Sequence, residues 1–185
     1  MSTTVLFIEH LITGFQASIW IVLFILTIFG YEWINLFDLE KYATVITLLF
    51  ISFVYPLGVF IDNIADDLLK PWNRMIRSKY IQDENQSARS LLAMTKDEVM
   101  AEYLGYVRTR IRISRSAFVN FLLISIMICI FTATKLRDAL GIMYWRVLVI
   151  ELIIGIILTG LALLAWFRIS HTFAMQISRG FDNIS

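Results

Sequence analysis

The chain has 185 residues, 58% of them hydrophobic, with a mean hydropathy of +0.73 and a formal net charge of +1. Soluble domains of this length are about 45–50% apolar, so the composition favours a membrane protein, and the charge provides no field to attract nucleic acid. The single cysteine, Cys129, excludes an intrachain disulfide and a cysteine-based zinc site.

The apolar residues collect in four blocks, each long enough to cross a hydrocarbon core of about 30 Å. The blocks run from about Leu11 to Gly30, Tyr42 to Ile61, Ala117 to Thr134 and Val147 to Phe167. As helices they would reach roughly 27–32 Å. Met1–Glu9 contains no lysine or arginine of the kind that begins a signal peptide, so the first block is expected to be a retained helix.

Lysine and arginine lie mostly on one side of these blocks. Residues 63–116 and the C-terminal tail carry twelve of the sixteen, and the other side carries Lys41, Lys135, Arg137 and Arg146. Because positive charge is enriched on the cytoplasmic side of membrane proteins, both termini are predicted to lie inside. The sequence thus predicts an all-α four-helix membrane bundle. Residues 1–62 form one transmembrane hairpin, 63–116 a cytoplasmic helical extension, and 117–185 a second hairpin with a short cytoplasmic tail.

The central segment is predicted to begin as a continuation of the second helix toward Lys70. Pro71 should interrupt that helix or start a short new one, and the polar residues 82–90 indicate a loop. From Lys96 the sequence predicts one long helix to Thr134, whose first half is a cytoplasmic stalk. Four apolar residues of the stalk are predicted to form a buried stripe: Val99, Tyr103, Tyr106 and Ile113.

No catalytic motif is evident. The two histidines, His10 and His171, lie near predicted inner membrane boundaries, and the chain has no HExxH, Walker A, GxSxG or Rossmann glycine pattern. Little chain lies outside the membrane, and no nucleophile and base are paired in the sequence. We therefore predict a non-enzymatic protein with no catalytic residue, metal or cofactor.

Glu151 is a candidate intramembrane polar site. It lies about one turn inside the fourth block, between VLVI and LIIGII. A carboxylate at that depth is costly unless it is paired, protonated or exposed to water. It could respond to ions or line a pore; the favoured interpretation is a hydrogen bond to another helix, or a pair with Arg146 or Lys135.

Polar residues also gather at the inner ends of the first three helices. Glu9 and His10 are interpreted as an interfacial pair with their head groups in water, in preference to a titrating contact with the central segment. Gln16 and Asn120 are expected to bond neighbouring helices.

Asp62 and Asp66 are four residues apart and share a helical face, with Asp67 beside them. They could hold a divalent cation, but pairing with the basic residues at the start of the third helix is favoured. Those residues, Arg108, Arg110, Arg112 and Arg115, are also a candidate lipid-facing cluster, worth about 1 kcal/mol per charge at an anionic surface. No direct nucleic-acid contact is expected, because no aromatic side chains are interleaved among them.

Small residues at a spacing of four suggest assembly into a homo-oligomer. Gly14 with Ser18, and Gly155 with Thr159, have the small-xxx-small pattern that lets helices approach closely.

The stretch Tyr55–Ile81, YPLGVFIDNIADDLLKPWNRMIRSKYI, has a glycine near the membrane exit, an acidic amphipathic continuation and a proline–aromatic break. It resembles the four-helix membrane subunit of the Kiwa anti-phage system and the membrane accessory proteins of RADAR and type VI-B CRISPR loci. The resemblance implies a homo-oligomeric membrane component that senses infection or anchors a cytosolic effector acting on nucleic acid.

The predicted function is therefore a sensor or anchor subunit in a prokaryotic inner membrane, with membrane lipids and a cytosolic effector protein as partners. The predicted partner-binding residues are Trp72, Arg74, Arg77 and Lys79, together with the loop Gln82–Leu92. The alternative is an oligomeric ion channel or membrane-permeabilising pore, with Glu151 in its lining.

Overall fold

The computed structural model describes residues 3–32, 41–81, 87–95 and 98–182. The helices are α1 (Thr3–Phe29), α2 (Ala43–Tyr80), α3 (Ala88–Thr95), α4 (Glu98–Phe131), α5 (Arg137–Leu140) and α6 (Tyr144–Asp182). A π-helical turn, Thr132–Leu136, precedes α5, and a 3-10 turn, Gly141–Met143, follows it. Helices account for 96% of the described residues and none of these is in a strand, which confirms the all-α prediction.

Three helical stretches are long and apolar enough to cross a membrane: Leu6–Phe29, Ala43–Tyr80 and Glu98–Phe181. The third stretch folds back on itself, because the turn at Gly141, with φ +49°, separates α4 from α6. Apolar side chains cover the outside of the long helices. Phe53 of α2 is 71% exposed, and Ile156 of α6 is 64% exposed. Soluble monomers rarely leave so continuous an apolar surface uncovered, so this exterior is that of a membrane protein.

The long helices meet at small residues. A Cβ atom at Gly14 of α1 would overlap the carbonyl of Val54 of α2, and one at Gly58 would overlap the carbonyl of His10. A Cβ atom at Gly155 of α6 would overlap the side chain of Ser125 of α4. The close approach that Gly14 and Gly155 permit is thus used within one chain, so their spacing no longer argues for a homo-oligomer.

The prediction that Pro71 interrupts the second helix is wrong. Pro56 and Pro71 both lie inside α2, which continues unbroken to Tyr80. An internal proline costs about 3 kcal/mol or more in a helix, but the α2 continuation buries Leu69 and Ile76 against Trp166 of α6. Tertiary packing therefore holds the segment helical through the proline.

A hydrophobic core lies at the end of the molecule formed by the central segment. Leu91 of α3 is 1% exposed and packs with Leu104 of α4 and Ile177 of α6. The prediction of a loop is therefore wrong from Ala88 onward, and Leu91 is not available as a partner contact. Residues 82–86 of that predicted loop lie outside the described part of the chain.

The predicted buried stripe of the stalk is displaced at three of its four residues, and the fourth, Ile113, is half-buried. Val99, Tyr103 and Tyr106 are 78%, 44% and 57% exposed, whereas Leu104 and Val107 are 3% and 6% exposed. The buried face is shifted by one residue, or roughly 100° around the helix. The stalk is apolar on both faces, and the docking of α3 and α6 onto Leu104 decides which of them is buried.

The segment after Phe167, predicted to be a short tail, continues α6 as a helix to Asp182. One face of this segment is packed against the protein, because Ser170, Ala174 and Ile177 are at most 3% exposed. The end of the molecule formed by the central segment is therefore built by continuations of α2, α4 and α6 with α3 packed across them.

Candidate functional site

A buried amide ties α1 to α4 within the apolar part of the bundle. Asn120 is fully buried, and its Nδ2 donates to the Thr13 carbonyl at 3.1 Å and to Gln16 Oε1 at 3.5 Å. Trp20 Nε1 donates to Asn120 Oδ1 at 3.3 Å. The prediction that Gln16 and Asn120 bond neighbouring helices is confirmed.

Nearer the central segment along α4, Arg115 is bound by two aspartates of α2. Its Nε and Nη2 donate to Asp62 Oδ1 at 3.1 and 2.9 Å, and its Nη1 donates to Asp66 Oδ1. Ser116 Oγ adds a hydrogen bond to Asp62 at 3.2 Å. The predicted pairing of these carboxylates with the basic run is confirmed. Arg115 does not belong to the lipid-facing cluster, because its side chain is 13% exposed and turned into the protein.

Glu9 occupies an unexpected place beside this layer. It is 3% exposed, and its Oε2 lies 3.7 Å from Nη1 of Arg112 on α4. Neither carboxylate oxygen accepts a hydrogen bond from the described residues. The interpretation of Glu9 as an interfacial group with its head in water is therefore wrong, and the contact with the central segment is present.

Arg112 and Arg115 also line a cavity of about 320 Å³ between α2, α3, α4 and α6. Arg77 and Arg108 also line it, and because it has four arginines we call it the arginine cavity. Its remaining walls include Asp66 and the apolar Ile111, Phe173 and Ile177. Its volume falls at the lower end of the range of about 300–1,000 Å³ that small-molecule sites have.

Positive charge in the arginine cavity is only partly neutralised. Arg115 is shared by Asp62 and Asp66, and Arg112 has Glu9 nearby. Among the described residues, neither Arg77 nor Arg108 has a carboxylate within 4.0 Å. Four arginines and one aspartate line the cavity, and a concave site with an excess of positive charge concentrates the electrostatic potential, so it attracts anions.

Ser170 supplies a hydroxyl group to the same cavity. It is 3% exposed, and its Oγ has no hydrogen-bond partner among the described residues. Other helical hydroxyls, those of Ser114 and Thr172, donate to the carbonyl four residues back at 2.8 and 3.0 Å. A buried polar group left unsatisfied costs roughly 1–3 kcal/mol, so Ser170 is poised to bond a ligand in the cavity.

The arginine cavity combines residues that the sequence assigned to separate sites. Arg77 is one of the predicted partner-binding residues, whereas Arg108, Arg112 and Arg115 are predicted to face lipid. Arg108, Arg112 and Arg115 follow one another at intervals of four and three residues, which places them on one helical face and leaves Arg110 off it. Sequence reasoning missed that distinction. It had no signal for Ser170, whose place depends on how α6 meets α4.

The other predicted partner-binding residues lie on the outside of α2. Trp72 is 48% exposed, with its ring centroid 6.5 Å from that of Trp166. Arg74 and Lys79 are exposed on the same helix. Arg110 is likewise exposed, and its guanidinium lies 5.7 Å from the centroid of the Tyr106 ring.

Glu151 makes the interhelical hydrogen bond that was the favoured interpretation. The hydroxyl of Thr132, in the π-helical turn, donates to Glu151 Oε1 at 2.9 Å. Thr132 is fully buried. The second oxygen, Oε2, is buried and accepts no hydrogen bond from the described residues. One of the two carboxylate oxygens of Glu151 therefore has a hydrogen-bond donor among the described residues, and the other has none.

Comparisons with models of known protein families, with curated proteins and with solved structures find no match to this chain. Its function must therefore be argued from its own residues.

Proposed function

We propose that this protein is a non-enzymatic anchor or sensor subunit of a prokaryotic inner membrane that holds a cytosolic effector protein at the membrane. In this proposal α1, α2, α4 and α6 each cross the bilayer once, and both termini lie in the cytoplasm. The excess of lysine and arginine beyond the inner ends of the apolar blocks supports that orientation.

The observation that carries the proposal is the packed helical end of the molecule. The α2 continuation from Asp62 to Tyr80 reaches about 28 Å past the apolar part of the helix. With α3, α4 and α6 it encloses buried residues such as Leu91 and Leu104. A packed projection of this size is more than membrane insertion requires, and it gives a second protein a fixed surface to bind.

The exposed side chains of the α2 continuation, Trp72 and Lys79 on one side of the helix and Arg74 on another, are the proposed contact for that partner, and we call them the α2 surface. Tryptophan and arginine are the side chains that most often dominate protein interfaces. The two basic residues would select an acidic patch on the effector, since complementary charge steers association. Trp72, nearly half exposed, would supply the apolar contact.

The resemblance of Tyr55–Ile81 to membrane subunits of anti-phage systems supports a role for the effector in defence against phage. We propose on that basis that the effector acts on nucleic acid and that the membrane subunit itself does not. A homo-oligomer is part of the same proposal, and the mass of the purified particle would measure it.

The experiment is affinity purification of the tagged protein from its native host in mild detergent, read by mass spectrometry. We expect a stoichiometric cytosolic partner that is lost in the double variant Arg74→Glu, Lys79→Glu. Arg110→Glu is the matched control, because it reverses an exposed charge on α4 away from the α2 surface. Partner recovery at the wild-type level in the inserted double variant would reject this contact.

The alternative, an ion-conducting oligomer, has one observation in its favour. Glu151 has a buried oxygen that accepts no hydrogen bond from the residues that the structure describes, and carboxylates within apolar membrane segments often mark ion pathways. Ion flux through liposomes containing the purified protein, altered by Glu151→Gln, would support this function. Absence of flux in liposomes with wild-type protein would reject it.

A further inference from the structure

We propose that the arginine cavity binds a phosphate group, carried either by a lipid headgroup or by a small soluble phosphate compound. This inference is independent of the docking of an effector, because Trp72, Arg74 and Lys79 of the α2 surface do not line the cavity between α2, α3, α4 and α6.

The geometry of the cavity suits a phosphate. Guanidinium groups present pairs of N–H donors in a fixed fork that matches two oxygens of one phosphate. Arg77 comes from α2 and Arg108 and Arg112 come from α4, so the donors approach from two sides. A group with three or more acceptor oxygens can bond both walls at once, which a single carboxylate does less well.

The charge and hydrogen-bond inventory leaves a place for the ligand. Arg77 and Arg108 have no acidic partner among the described residues, and Arg112 is 3.7 Å from its nearest carboxylate oxygen. Asp66 also lines the cavity, but Arg115 donates to it directly. The buried Ser170 hydroxyl, which has no hydrogen-bond partner in the described part of the chain, adds a neutral donor for a phosphate oxygen.

The depth of the cavity allows both sources of phosphate. The apolar part of α2 ends at Ile61, and the cavity is lined by residues of α2 from Asp66 to Arg77 and by Ile81, which directly follows the helix. At 1.5 Å per residue these lie about 8–30 Å beyond that end. The headgroup layer is about 5–8 Å thick. One end of the cavity therefore lies near headgroup depth, and the other end lies in the aqueous phase.

The first test measures thermal unfolding of delipidated protein in a neutral detergent, titrated with inorganic phosphate at constant ionic strength. If the ligand is soluble, phosphate raises the Tm of the wild-type protein, and Arg108→Gln weakens the effect at least about tenfold. Ser170→Ala weakens it less, without loss of fold. The matched controls are Arg110→Gln and Ser114→Ala, which remove an arginine and a serine outside the cavity.

The second test incubates the same proteins with phosphatidylglycerol or phosphatidylcholine and counts retained lipids by native mass spectrometry. If the ligand is a headgroup, wild type and Arg110→Gln retain phosphatidylglycerol in preference to phosphatidylcholine, and Arg77→Gln and Arg108→Gln lose that preference. A response in either test that the cavity variants abolish supports the proposal. It is overturned if neither probe distinguishes the folded cavity variants, Ser170→Ala included, from their controls.

Discussion

Arg115 of α4 donates two hydrogen bonds to a single oxygen of Asp62 of α2, at 3.1 and 2.9 Å across 53 residues of sequence. Both side chains are shielded, at 13% and 12% exposed. The pair lies where the apolar part of α2 ends, and Arg115 also lines the arginine cavity. One ion pair therefore sets the distance between α2 and α4 and positions the cavity's membrane-side wall.

Replacing Asp62 by Asn should destabilise the protein strongly. Removing Asp62 takes away the shielded partner of Arg115 and leaves it only the more exposed Asp66 among the described acidic residues, so the loss should approach the about 3–5 kcal/mol that breaking a buried ion pair costs. Asp66→Asn is the matched control, because Asp66 binds the same arginine but is 55% exposed. Thermal unfolding in detergent should give a clearly lower Tm for Asp62→Asn than for Asp66→Asn. Equal losses would mean that the two aspartates share the role.

Replacing Gly58 by Ala should open the crossing of α1 and α2. The added methyl group would meet the backbone of His10, which cannot turn aside as a side chain can. Overfilling a packed contact costs typically 1–3 kcal/mol. Gly160→Ala is the control, since a Cβ there meets nothing within 4 Å. A fall in Tm for Gly58→Ala alone is expected; similar Tm values for both variants would contradict the close crossing.

Replacing Thr132 by Val should weaken the outer end of the bundle. The change keeps the shape of the side chain and removes the donor to Glu151. Hydrogen bonds between membrane helices average about 0.6 kcal/mol and reach about 1.7 kcal/mol, so we expect a small fall in Tm, reversed in Thr132→Ser. Thr134→Val is the control, because the hydroxyl of Thr134 donates to carbonyls of its own turn. A larger loss from Thr134→Val would reject this account of Glu151.

The sequence predicts the helices better than the contacts between them. Apolar length and charge asymmetry are properties of single segments, so the membrane blocks and the helical class could be predicted from them. Pro71 and the Val99 stripe were misread because local preference there is overruled by burial of Ile76 and Leu104 against α6. Which of two apolar faces of a helix is buried depends on where the neighbouring helix packs.

The candidate site follows the same division. The pairing of Asp62 with the basic run could be predicted, because the two helices bracket one segment and the charges are opposite. The convergence of Arg77 with Arg108 could not, since it requires the rotation of α2 about its axis. Ser170 was invisible because a serine within a helix usually bonds its own backbone, and only the structure reveals that this one does not.

The orientation of the helices in the membrane provides the most direct test. Contact with a cytosolic effector, and access of cytoplasmic ligands to the cavity, both require the central segment to lie in the cytoplasm. Val99 on the stalk is 78% exposed and Ile142 in the turn before α6 is 96% exposed. Each would be replaced by Cys in a Cys129→Ala background and treated with a membrane-impermeant maleimide in spheroplasts. We predict labelling of Ile142→Cys in intact spheroplasts and of Val99→Cys only after lysis. Labelling of Val99→Cys from outside, with Ile142→Cys protected, would contradict the account.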